Sequence, residues 1–153
     1  ILFLFFFFTP DDAAAEAGTP KFVVSSGDCT VHADVCVRSP NYPLEYGNDE
    51  ACTITVAYVD SGDRLFAEMF DVEDMDPDCP EYDYLRISDH DGKGSDRYFC
   101  GKRGPTGESV SKTDQITWYS DFSLTSSGFS TSNLAKSRTK NIIATLRILK
   151  TNW

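Results

Sequence analysis

Short strand-like runs, closed at regular intervals by turns, limit this chain more than any other feature. CTITVAYV from Cys52 sets Ile54, Val56 and Tyr58 against Thr53 and Thr55, the period of two expected where one strand face is buried. DRLFAEMF follows the turn DSGD. YDYLRIS puts Leu85 and Ile87 on one face. RYFCG follows the Gly- and Asp-rich turn DHDGKGSD. Past the loop GKRGPTGES, DQITWYS alternates Ile116 and Trp118 with Thr117 and Tyr119. Strands spaced by roughly a dozen residues, with Gly, Pro and Asp between them, predict an antiparallel sandwich or barrel. The single candidate helix is NIIATLRILK, where Ile142, Leu146 and Leu149 could share a face; its β-branched content suits a strand equally well.

The 153 residues are enough for one ordinary domain with its own core. A net charge of −10 argues against a nucleic-acid partner, because binding phosphate needs a basic surface. The charge is uneven. Residues 132–153 hold Lys136, Arg138, Lys140, Arg147 and Lys150 and no acid, leaving nine basic against twenty-four acidic residues elsewhere. That end is expected to be a basic tail or linker.

Five cysteines in so short a chain suggest an oxidising compartment. Cys29, Cys36, Cys52, Cys79 and Cys100 contain no C-x-x-C pair, and His32 and His90 stand apart, so disulfides suit them better than zinc. One cysteine is left over. ILFLFFFF is too short to span a bilayer, which takes roughly 20 residues. Followed by Ala15 and Ala17 in an A-x-A pattern, it reads as a signal-peptide remnant or leader over residues 1–20, so the chain is expected to be secreted, with no transmembrane segment.

FDVEDMDPDCPEYDYLRISD, from Phe70, packs eight carboxylates around one cysteine. Asp74, Asp76 and Asp78 match the opening of an EF-hand loop, in which alternate positions supply oxygens. The match then fails: Cys79 stands where a Gly must make the turn, Leu85 stands where a bidentate Glu is needed, and strands flank the loop.

Four stretches in order, SPNYPLEYGNDEAC, FDVEDMDPDCPEYDYLRISD, RYFCGKRGP and ITWYSDFSLTSSGF, resemble the CUB domain, an extracellular β-sandwich module. S-P-x-Y-P, C-x-x-Y-D-x-L, F-C-G and S-D-x-S before G-F follow the family's order and spacing across roughly residues 29–130. The resemblance implies an all-β, antiparallel, jelly-roll-like sandwich over residues 21–131, stapled by two disulfides. It implies a Cys79–Cys100 pair, and Cys52 paired with Cys29, with Cys36 as the alternative.

It also implies a Ca2+ site. The family's ligand positions fall on Glu73, Asp83 and Asp121, with the Ser123 carbonyl as a further ligand and Tyr46 hydrogen-bonding within the site. Calcium takes six to eight oxygens, and three carboxylates converging from distant loops repel one another without a cation. The implied partner is an extracellular protein presenting a lysine or arginine to this acidic rim. Two other readings come with the family: a non-catalytic exosite or assembly fragment of a secreted protease, and a calcium-independent glycan-binding module. An enzyme is not expected. Ser120 and Ser123 flank Asp121, but the chain has no G-x-S-x-G elbow and no H-E-x-x-H, and its histidines lie in stretches with no nucleophile motif.

Overall fold

The computed structural model describes residues 20–74, 79–88 and 94–134. Residues 1–19 of the expected leader, residues 135–153 of the expected basic tail with the candidate helix, and Asp76, Asp78 and His90 lie outside the described residues. Nine strands are described: β1 (Phe22–Ser26), β2 (Thr30–His32), β3 (Cys36–Arg38), β4 (Ala51–Val56), β5 (Arg64–Asp71), β6 (Tyr84–Ser88), β7 (Arg97–Phe99), β8 (Gln115–Tyr119) and β9 (Gly128–Leu134). The five runs read from periodicity and turns correspond to β4 to β8.

These strands form two antiparallel sheets. One has the order β1-β4-β8-β6-β7, the other β2-β3-β9-β5. In β4 the pattern is plain: Cys52, Ile54 and Val56 are buried, and Thr53 and Thr55 are half-buried on the opposite face. Opposite it in register, Ile116 and Trp118 of β8 do the same, as do Leu85 and Ile87 of β6. The second sheet contributes Val37, Leu65, Phe70 and Phe129. Trp118 is the centre of the core, with its ring 4.8 Å from Tyr46, edge-on, and 5.5 Å from Phe129. The expected antiparallel sandwich is the observed fold.

Two parts depart from the sequence pattern. In the β2–β3 hairpin, Ala33 and Asp34 adopt φ of 49° and 60°. An alanine in the left-handed region gives no turn signal, so the hairpin is not visible in sequence. The last strand is the second case. The basic tail is expected to begin at residue 132, yet β9 runs to Leu134, and the polar Ser130, Thr131, Ser132 and Asn133 are all buried. The strand lies between β3 and β5, so its backbone is satisfied on both edges, and that pairing rather than apolar content holds it.

The disulfides are Cys29–Cys52 and Cys79–Cys100, leaving Cys36 as a buried free thiol 3.2 Å from Ser130 Oγ. Cys36 points to the face of its sheet opposite the core residue Val37, whereas Cys29 packs in the core beside Cys52. The second bridge ties the acidic stretch at Cys79 to the end of β7, and the chain-entropy model assigns it about 3 kcal/mol.

Gly128 joins the S-P and G-F motifs. Its φ is +81°, and a Cβ there would collide with Ser39 Oγ. Ser39 Oγ accepts the Phe129 N–H at 3.1 Å, and the Ser39 N–H donates to the Phe129 carbonyl at 3.0 Å. Gly128→Ala therefore combines a left-handed penalty with overpacking. It is expected to cost on the order of 2–4 kcal/mol, read as a drop in Tm of roughly 10 °C by differential scanning fluorimetry.

Candidate metal centre

Three loops meet at one end of the sandwich. Glu73 follows β5, Asp83 immediately precedes β6, and Asp121 lies two residues past β8. A carboxylate oxygen from each lies within 4.8 Å of the other two, and this is the one such acidic, His or Cys group found among the described residues. Glu73 and Asp83 are buried, and Asp121 is half-buried.

Each acid is fixed by local backbone. The Val72 N–H donates to the Gly101 carbonyl at 3.0 Å and the Gly101 N–H returns to the Glu73 carbonyl at 3.3 Å, so the strand end beside the second disulfide sets where Glu73 leaves the sheet. The Glu73 N–H donates to the Tyr46 hydroxyl at 3.1 Å. That hydroxyl in turn donates to the Asp83 carboxylate. Asp83 Oδ1 accepts the Asp121 N–H at 2.7 Å, and Asp121 Oδ1 accepts the Ser123 N–H at 2.8 Å and its hydroxyl at 3.4 Å. The Asp49 N–H donates to the Asp121 carbonyl at 2.7 Å. All five residues expected at the site, Glu73, Asp83, Asp121, Ser123 and Tyr46, are thus brought together. Asp74 and Glu81 of the same acidic stretch are exposed.

Two oxygens are left over. Glu73 Oε2 and Asp83 Oδ2 are buried and accept no hydrogen bond. A buried carboxylate oxygen without a donor or cation is costly. The protonation equilibria reflect that cost. Burial, then the charges of Asp83 and Asp121, raise the Glu73 carboxyl above its ordinary value. Burial also raises Asp83, against the opposing hydrogen bonds from Tyr46 and the Asp121 N–H. Burial, with Asp83 beside it, raises the Tyr46 hydroxyl, keeping it a neutral donor. An all-oxygen set with two unsatisfied buried carboxylate oxygens fits a hard divalent cation.

Sequence reasoning missed the residues that hold the loops. Ser120, noticed only as a conceivable nucleophile, is buried; its hydroxyl donates to the Gly47 carbonyl at 2.8 Å and accepts the Glu50 N–H at 2.9 Å, clamping residues 47–50 to the end of β8. The Tyr46 N–H donates to the Ser126 carbonyl at 3.3 Å in the same join. Serine side chains beside a strand end, facing a turn, were the available signal. His32 is exposed on β2, away from these loops.

The CUB domain profile matches residues 26–132. Blastula protease 10 of Paracentrotus lividus is 34% identical over 95 residues, which are 61% of this chain and 16% of that protein. The dorsal-ventral patterning protein tolloid of Drosophila melanogaster is 34% identical over 114 residues, 71% of this chain and 10% of that protein. The chain thus spans only a small part of these curated relatives. Among solved structures, the MASP-1 CUB2 domain bound to Ca2+ superposes with a TM-score of 0.52 at 30% identity, covering 66% of this chain and 91% of that one. The strand order, the two disulfides and the profile match agree: this chain belongs to the CUB domain family.

Proposed function

We propose that this chain is an extracellular, calcium-dependent protein-binding module in which Glu73, Asp83, Asp121 and Ser123 hold Ca2+, Tyr46 orients the acids, and the acidic rim receives a lysine or arginine of a protein partner. CUB domains are generally non-catalytic interaction modules, and among the described residues no helix is long and apolar enough to cross a membrane. The observation that carries the reading is the pair of buried, donorless oxygens, Glu73 Oε2 and Asp83 Oδ2, within a group of three carboxylates. The Ca2+-bound MASP-1 relative supports the choice of metal, and two disulfides support an oxidising, extracellular setting.

A second reading makes the same module a non-catalytic assembly arm of a secreted protease. The match to Blastula protease 10 favours it, and sequencing the full-length transcript decides it, since a catalytic domain would then be present.

Calcium is expected to bind near 1:1 in a calorimetric titration and to raise Tm, by an amount equivalent to about 2.7 kcal/mol at a hundredfold excess over Kd. Asp121→Ala should abolish both effects. A wild-type chain whose Tm ignores calcium would sink the proposal.

The partner reading has its own check. The chain should be retained on immobilised lysine in calcium, released by chelator, and not retained as Glu73→Ala. Retention that survives both chelation and the substitution would reject cation recognition at this site.

The pH dependence has a definite sign. Glu73 and Asp83 are raised above ordinary values of 4.5 and 3.8, so in metal-free protein the stability they contribute is complete below those values and is lost as pH rises through the folded-state values. Metal-free Glu73→Gln should therefore melt higher than wild type near about pH 7 and close to it near about pH 4. Calcium inverts the trend, because the metal requires both carboxylates ionised. Thermal melts in chelator and in calcium across this range give the readout.

A further inference from the structure

Among the described residues, the three most exposed large apolar side chains are Phe122 at 78%, Leu44 at 72% and Leu124 at 58%. All lie on the two loops framing the acidic group. Leu44 sits two residues before Tyr46, and Phe122 and Leu124 stand on either side of Ser123. Those loops are joined: Asn48 Nδ2 donates to the Phe122 carbonyl at 2.9 Å, the Tyr46 N–H donates to the Ser126 carbonyl, and Thr125 Oγ1 donates to Glu45 Oε2 at 3.3 Å.

Single exposed leucines are ordinary, but three large apolar groups on two coupled loops beside a buried acidic group are not. Leu124 also holds φ at 52°. Asn41 and Asp49, at 60° and 56°, take up that region readily; leucine does not. Glycine would fit Leu124's backbone with less strain, so the conformation is explained when the exposed side chain is itself used.

We infer that Leu44, Phe122 and Leu124 form an apolar platform beside the acidic group, and that the partner is a polypeptide segment whose lysine or arginine is directly flanked by an apolar residue. The inference rests on the reading above that the acids receive a basic side chain. A charged contact at an acidic rim supplies orientation and association rate. Apolar burial next to it supplies most of the residence time. The other apolar surface these residues could enter is a bilayer. A net charge of −10 with buried acids at the same end opposes approach to anionic lipid, while it complements a basic peptide.

The test is to pan a random peptide library against the immobilised full chain, in calcium and in chelator. The most enriched peptide is then titrated against wild type and against the Leu44→Ser, Phe122→Ser, Leu124→Ser triple variant. Calcium-dependent binders should carry Lys or Arg next to Leu, Ile, Val, Phe or Met. The triple variant should bind that peptide on the order of tenfold more weakly, with its calcium titration unchanged. Binders with a basic residue but no apolar neighbour, or a triple variant of equal affinity, overturn the platform and leave cation recognition standing. Calcium-dependent binders without basic residues overturn both. Calcium-dependent sedimentation with phosphatidylserine vesicles, lost in the triple variant, assigns the platform to a bilayer and also overturns the inference.

Discussion

Carboxylate oxygens of Glu73, Asp83 and Asp121 lie within 4.8 Å of one another, two of the acids buried. At that separation a pair of full charges repels by about 3 kcal/mol at an effective dielectric of 20, against under about 1 kcal/mol in water. Three such pairs approach the whole net stability of an ordinary domain, about 5–15 kcal/mol. Full ionisation of all three is therefore incompatible with holding the loops together unless something compensates. Hydrogen bonds compensate only in part: Asp83 accepts from Tyr46 and the Asp121 N–H, and Asp121 from Ser123, but Glu73 Oε2 and Asp83 Oδ2 have no donor. A proton on Glu73 or a cation among the three relieves what is left, and these are the two states that the pH trend separates.

The sandwich is what keeps the acids from moving apart. Tyr46 packs its ring edge-on to Trp118 at the centre of the core while its hydroxyl links the Glu73 N–H to Asp83, so a displaced acid must disturb the core. Gly128 lets β9 come close to Ser39 just below, where a Cβ would also reach the Tyr46 ring. Ser120 clamps the loop carrying Tyr46 to β8, the strand that delivers Asp121. Repulsion at the loop end is thus opposed by apolar burial a few residues away, because the groups that position the acids belong to the core.

Much of this was legible in the sequence, for identifiable reasons. Strands β4 to β8 alternate and are punctuated by Gly, Pro and Asp, so periodicity located them. The acids could be selected from a crowd of eight only through the order of four motifs; charge alone would have chosen Asp74, Asp76 and Asp78, of which Asp74 is exposed on the loop. The β2–β3 hairpin was hidden because an alanine and an aspartate take the left-handed turn positions, and β9 because a central strand can be held by backbone pairing on both edges with polar side chains buried. The same limit concealed Ser120, whose role is a pair of hydrogen bonds to backbone and leaves no trace in composition.

Charge counting carries the calcium reading one step further. Three ionised acids and one divalent cation leave a single negative charge at the loop end, set in a body whose acids outnumber its bases. That remainder is too small to hold a second dication against the first, yet it suits one ammonium or guanidinium group approaching from solvent. In metal-free protein the same cation would meet loops without a common ligand. The metal would then do one thing for a partner: give the loops that display the acids a common ligand. Dependence of partner binding on calcium would then come from the geometry of the loops, and no contact between partner and metal is needed to produce it.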